Sequence, residues 1–173
     1  METITETTET GAAAQKTDPR AGKYLTFGLG AEEFAVPVLC VREIMGIQEI
    51  TAVPHTPHYV KGVINLRGKV IPVVDLRLKF GLPEAEYTQR TSIIVAQIAG
   101  AGRKLLIGII VDGVSEVLTL QANDIEDTPD FGAGVQLPYI LGMAKIKGKV
   151  KILLDINLVF SPQEAQGLGG VAG

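Results

Sequence analysis

Over most of the chain apolar and polar positions alternate with a period of two, the mark of half-buried strands. Residues 24–29 ("YLTFGL") alternate and stop at Gly30. Phe34, Val36 and Val38 alternate next, and Val41, Ile44 and Met45 follow before Gly46. Residues 51–53 form a short strand-like run closed by Pro54. Residues 60–66 and 69–74 are two apolar runs around Arg67-Gly68, which predicts a hairpin whose glycine supplies the positive φ of its turn. Asp75 then stands where an N-cap belongs, ahead of one or two helical turns carrying Leu76, Leu78 and Phe80. Residues 92–98, 104–111, 140–146 and 149–154 predict four further strands, and Asp155 is placed to cap a turn bearing Leu158 and Phe160.

The pattern is written twice. "VKGVINLRGKVIPVVDLRLKFG" (60–81) aligns without a gap on "ILGMAKIKGKVKILLDINLVFS" (140–161). Gly62 falls on Gly142, Gly68 on Gly148, Lys69 on Lys149, Asp75 on Asp155 and Phe80 on Phe160. "FAVPVLCVREIM" (34–45) echoes "IGIIVDGVSEVL" (107–118), placing Val41 on Val114 and Glu43 on Glu116. The segment order is A, B, A, B, so each half is expected to build the same small unit. Roughly five short strands per half, glycine corners and few helices predict an all-β fold of two tandem barrels, with a groove between them. The halves divide at about 24–90 and about 91–160. Whether each barrel keeps only its own strands is open at this level.

Composition narrows the rest. The 173 residues are 46% hydrophobic, with 20 glycines and 9 prolines, enough to bury a core and rich in turns. A net charge of −3 argues against a phosphate backbone as partner. With no Trp and 5% aromatics, base-stacking platforms are scarce. Residues 1–22, rich in Thr and Glu, have too little apolar surface to offset ordering and are expected to be a disordered tail. The end, "QGLGGVAG" (166–173), is expected to fray, leaving 23–165 as the folded body. No secretory signal opens the chain and no apolar stretch reaches spanning length. Met1 and the low-complexity ends read as those of a whole small protein.

Candidate chemistry is sparse. Cys40, the single cysteine, reads as a small buried hydrophobe in a reducing compartment. His55 and His58, in "PHTPH", read as solvated loop histidines, since no further ligand stands at metal-site spacing. The carboxylates of "NDIED" (123–127) lack a calcium-loop pattern and read as a solvated turn. No phosphate loop or nucleophile motif is present. No catalytic residue, metal or cofactor is therefore expected. Two charges interrupt apolar segments: Glu43 in "VREIMG" and Arg67 in "NLRG". Each reads either as a solvated strand end or as half of a charge pair at a docking surface, where arginine is enriched.

"VREIMG", "TPHYVKGVINLRGKVIPVVDLRLKFG" and "IGIIVDGVSEVLTL" together resemble the CheW family of chemotaxis coupling proteins over nearly the whole folded body. The resemblance implies two five-stranded SH3-like, OB-related barrels. It implies a cytoplasmic, non-enzymatic adaptor recruited to membrane-bound receptor arrays. Its partners would be the cytoplasmic hairpin tip of a chemoreceptor and the regulatory domain of the histidine kinase CheA, with neither nucleic acid nor membrane insertion. Carried over position by position, the receptor-binding set is Val41, Glu43, Arg67, Val114 and Val117. No kinase contact transfers. A regulatory domain from a CheA-like kinase or a coupling–receiver protein is the neighbouring reading, and a nucleic-acid-binding OB barrel the more distant one.

Overall fold

The computed structural model describes residues 17–100, 102–129 and 137–172. Most of the expected N-terminal tail, residues 1–16, lies outside them. The chain opens with β1 (Gly22–Leu29) and β2 (Glu32–Pro37), then a 3-10 turn at Val38–Cys40 and β3 (Val41–Gly46). The first hairpin follows as β4 (Val60–Leu66) and β5 (Lys69–Asp75), closed by α1 (Leu76–Lys79). Next come β6 (Ser92–Gly100), β7 (Arg103–Val111), β8 (Gly113–Leu120) and the short β9 (Ile125–Glu126). The second hairpin is β10 (Ile140–Ile146) and β11 (Lys149–Leu154), followed by α2 (Ile156–Val159) and α3 (Pro162–Ala172).

The repeated sequence makes the same local structure twice. Arg67 and Gly68 have φ of +51° and +87°, and Lys147 and Gly148 have +53° and +78°. Both turns therefore need positive φ at two successive residues, as a two-residue hairpin of the primed type does. The glycine supplies only the second of these. Asp75 and Asp155 cap identically: their Oδ1 atoms accept from the backbone N of Arg77 and of Asn157, each at 3.0 Å.

The sheets do not divide the chain at residue 90. One sheet has the order β3-β6-β7-β5-β4 and is contiguous in sequence. The other, β8-β1-β2-β11-β10-β9, draws its strands from both ends of the chain. Parallel pairing joins β5 to β7 in one and β2 to β11 in the other. The first barrel is thus inserted into the second, and the short β9 makes the second sheet six-stranded. The cause is that strand pairing follows edge complementarity rather than proximity in sequence, so the β1–β2 hairpin closes on β8 and β11.

Three apolar clusters follow. Ile64, Ile71, Val73, Ile93, Val95 and Ile110 fill the first barrel. Tyr24, Ala35, Leu120, Ile125, Ala144 and Leu153 fill the second. The largest cluster takes residues from both sheets, including Phe27, Val74, Ile94 and Leu154, and from all three helices. It is the seam that holds the barrels together.

Two expectations need correction. Residues 166–172 are not a frayed end: α3 spans Pro162–Ala172 and buries Ala165 and Leu168 in the seam. Its start is a capping box, in which Glu164 N donates to Ser161 Oγ and Ser161 N donates to Glu164 Oε1. Residues 123–127 are likewise more than a solvated turn, because Ile125 is fully buried on β9 in the second barrel.

Candidate functional site

Glu43 and Arg67 meet. Glu43 lies on β3, at one edge of the first sheet, and Arg67 in the turn joining β4 to β5 at the opposite edge. Arg67 Nη2 donates to Glu43 Oε1 at 2.5 Å and Nη1 to Oε2 at 3.2 Å, a two-pronged pair across the mouth of the barrel. Its geometry follows from the turn, since positive φ at Arg67 swings its side chain away from β4. The Arg67 guanidinium holds the Glu43 carboxyl below its ordinary range. Both groups are in contact with solvent, so the pair fixes orientation more than it adds stability.

The three valines are distributed over both barrels. On β3, Val41, Glu43 and Met45 are the partly buried positions, while Arg42 and Ile44 face solvent. Val41 packs at the margin of the seam, as does Val114 on β8. Val114 pairs with Phe27 and Val117 with Leu25, which makes β8 an edge strand held on one side by β1. Val117 is 55% exposed. Sequence position alone could not separate these environments. The structure joins Glu43 to Arg67 directly and sets Val41 beside them on β3, whereas Val114 and Val117 lie on the other sheet.

Several residues that hold this arrangement were not assigned a role from sequence. Arg77 Nη1 donates to Asp112 Oδ2 at 2.6 Å, and Gly30 N donates to the same oxygen at 2.7 Å. Asp112 sits at the crossing from β7 to β8, so this node sets the direction in which β8 leaves. The available signal was a lone charge at the end of each apolar run, in "VVDLR" and "IIVDG". In the second barrel Lys151 is buried and bonded to Glu33 across the β2–β11 pair. The pair holds the Glu33 carboxyl below its ordinary range. At the seam, Glu164 accepts from Lys79 Nζ at 3.0 Å and from Tyr59 Oη at 3.1 Å. Lys79 Nζ also stands 5.1 Å from the centre of the Tyr59 ring. "SPQE" at the start of α3, a Ser-x-x-Glu with proline at the first helical position, was the readable signal for that helix.

Cys40 is partly buried and donates Sγ–H to Pro37 O at 3.1 Å. Burial pushes its thiol up to about 11, which keeps it protonated at neutral pH and a poor nucleophile. Among the described residues no three His, Cys, Asp or Glu side chains are grouped to hold a metal ion. Nor is any described helix long and apolar enough to cross a membrane.

Comparison with known proteins agrees with this architecture. The family model described as the CheW-like domain matches residues 23–164. The chain is 37% identical over 150 residues to the chemotaxis protein CheW of Klebsiella aerogenes, covering 87% of this chain and 88% of that one. It is 39% identical over 144 residues to the chemotaxis protein CheW of Rhizobium meliloti, covering 83% and 90%. The crystal structure of the scaffolding protein TtCheW from Thermoanaerobacter tengcongensis is similar, with a TM-score of 0.71 at 33% identity over 83% of this chain and 97% of that one. A match that runs from β1 into the first turn of α3 takes in both barrels and the seam, and the chain therefore belongs to the CheW-like family of chemotaxis scaffold proteins.

Proposed function

We propose that this chain is a non-enzymatic, cytoplasmic adaptor that couples chemoreceptors to the histidine kinase CheA in receptor arrays. In this reading the cytoplasmic hairpin of the receptor lays a helix against Val41, Val114 and Val117, while Arg67, oriented by Glu43, docks at the rim. The carrying observation is the Glu43–Arg67 pair: a two-pronged contact on an exposed rim, which holds the Arg67 guanidinium in one orientation. Exposure of Val117 on an edge strand supports an apolar partner there. The regulatory domain of the kinase, of the same fold by family resemblance, is the second partner in this reading, and no residue is assigned to that contact. Coverage of 88% and 90% of two relatives named CheW favours the adaptor over a regulatory domain of a kinase.

The test uses the receptor hairpin and the kinase separately. Arg67→Glu should leave the melting curve nearly intact and weaken receptor–kinase assembly, and Glu43→Arg added to it should restore part of the loss. Val117→Asp should weaken receptor binding by placing a charge against an apolar helix. Normal assembly and kinase activation by Arg67→Glu would remove the pair from the site, and unchanged affinity in Val117→Asp would remove that valine.

A further inference from the structure

Among the described residues the parallel pair of the first barrel starts later along its strands than that of the second. Strands β5 and β7 pair in parallel only where Val73–Asp75 meet Gly108–Ile110. Before that point residues 69–72 pair only with β4, and residues 103–107 only with β6. Their facing edges therefore have no partner strand: Val70 on β5 and Lys104 and Leu106 on β7 turn both N–H and C=O toward the gap, Pro72 only its C=O, and Gly169 of α3 borders the opening. In the second barrel the corresponding β2 begins only at Glu32, and the Lys151–Glu33 bond stands at its mouth. The opening exists because pairing in the first barrel starts at Val73–Gly108, whereas the second is already paired at Lys151–Glu33, the positions equivalent to Ile71 and Leu106.

Charge around the opening is one-sided. Its walls and the adjoining hollow carry Arg42, Arg67, Lys69, Arg103 and Lys104 against the single carboxylate of Glu43. Lys69, Arg103 and Lys104 are exposed and form no ion pair with a described residue. This cationic strip stands on a chain whose net charge is −3. Between the cations are apolar side chains: Val70, 45% exposed, with Leu105 and Leu106 partly buried behind it. Free strand edges, flanking cations and an apolar floor are the three features that receive an extended acidic chain.

We propose that the cleft between the first halves of β5 and β7 binds an extended acidic segment of a partner protein as an added strand. Backbone groups of Val70, Lys104 and Leu106 pair with that segment. Lys69, Arg103 and Lys104 meet its carboxylates, and Val70 and Leu105 meet its alternate side chains. This site takes a strand where the receptor site takes a helix, and its cations other than Arg67 lie outside that site, so the two readings stand or fall separately.

The test is titration of a fluorescein-labelled peptide of alternating Glu and Thr into the full chain, read by anisotropy. Saturable binding is expected at low salt. It should weaken steeply as the screening length falls from about 10 Å at 0.1 M to about 3 Å at 1 M. Lys69→Glu with Lys104→Glu, both on the surface, should reduce affinity by about tenfold or more. A peptide with two central prolines, which cannot join a ladder, should lose binding to a similar degree. Slowed amide exchange at Val70, Lys104 and Leu106 should accompany binding. Equal affinity for the proline peptide would mean charge attraction without strand addition and overturn the proposal. Wild-type affinity in the double variant would overturn the location. Much tighter binding after removal of residues 1–16, which hold Glu2, Glu6 and Glu9, would give the cleft to the chain's own start and overturn the partner as occupant.

Discussion

The two barrels share one strand order and reach it over very different distances along the chain. β3-β6-β7-β5-β4 in the first corresponds to β8-β1-β2-β11-β10 in the second, with the same parallel pair at the same place. The first is closed by neighbours in sequence. In the second, the partners at the parallel pair, Glu33 and Lys151, are 118 positions apart. A repeated sequence therefore fixes the hairpin and its caps, while closure depends on which free edge is available. The non-local closure carries a larger loop-entropy cost and is expected to form later. The barrels differ inside as well: Lys151, buried and bonded to the half-exposed Glu33, occupies the position that Ile71 fills in the first barrel.

The sharpest way to break the comparison is at the paired glycines. Gly62 lies against the backbone of Thr51, where an added Cβ would stand 2.0 Å from the carbonyl oxygen. At Gly142 the nearest atoms would be the Glu126 carbonyl oxygen and the Arg20 guanidinium, both at 2.8 Å. Each glycine admits the segment that crosses its hairpin, Thr51 bridging to Val63 in one barrel and β9 pairing with Met143 in the other. Gly62→Val should lose more than about 4 kcal/mol or fail to fold, because two backbones cannot interpenetrate. Gly142→Val should lose less, about 2–3 kcal/mol, since β9 is short and the Arg20 side chain can move. Urea unfolding of both variants decides, and equal losses would show that the two crossings are equally rigid.

A smaller effect is expected from the buried lysine. Glu33→Ala strands the Lys151 ammonium and should cost about 3 kcal/mol. Lys151→Ile installs the residue type of the first barrel and leaves Glu33, which is 39% exposed, to solvent. Stability at neutral pH should then be unchanged or higher by up to about 2 kcal/mol, the gain limited by screening of the half-exposed partner. The pH dependence gives an independent check. Bonding to Lys151 lowers the Glu33 pKa, so its contribution is present above the ordinary carboxylate range and is lost as pH falls through the folded value. Lys151→Ile should flatten that part of the acid unfolding curve, while an unaltered curve would mean that other carboxylates carry it.

The smallest expected effect tests where the barrels should agree. Gly68 and Gly148 occupy the same turn position at φ of +87° and +78°, and an added Cβ at either would meet nothing within 4 Å. Alanine at each should cost only the backbone term, about 1 kcal/mol, and the two losses should match. A large difference in urea midpoint would show that the turns share a shape without sharing a role.

How much of this was legible depends on distance along the chain. The hairpins, the Asp75 and Asp155 caps and the strand-forming runs were readable, because each is specified by residues within a few positions of one another. Arg67 and Glu43 were singled out as charges inside apolar runs, and the turn geometry then brought them into contact. Three glycines within Pro162–Ala172 hid α3, although its capping box was present in "SPQE". No role for Lys151 was readable, since alternation gives the face of a strand but not what covers that face.

The sequence by itself determined the repeated unit, its turns and caps, and the resemblance that carries the family, because these depend on local backbone preference and on side-chain type. Only the tertiary structure decided that the β1–β2 hairpin closes the distant barrel, that Glu33 covers Lys151, that α3 seals the seam, and that β5 and β7 part to leave an open edge. Each of those outcomes rests on which surfaces meet across long stretches of chain. Local periodicity is the same whichever partner a strand finally meets.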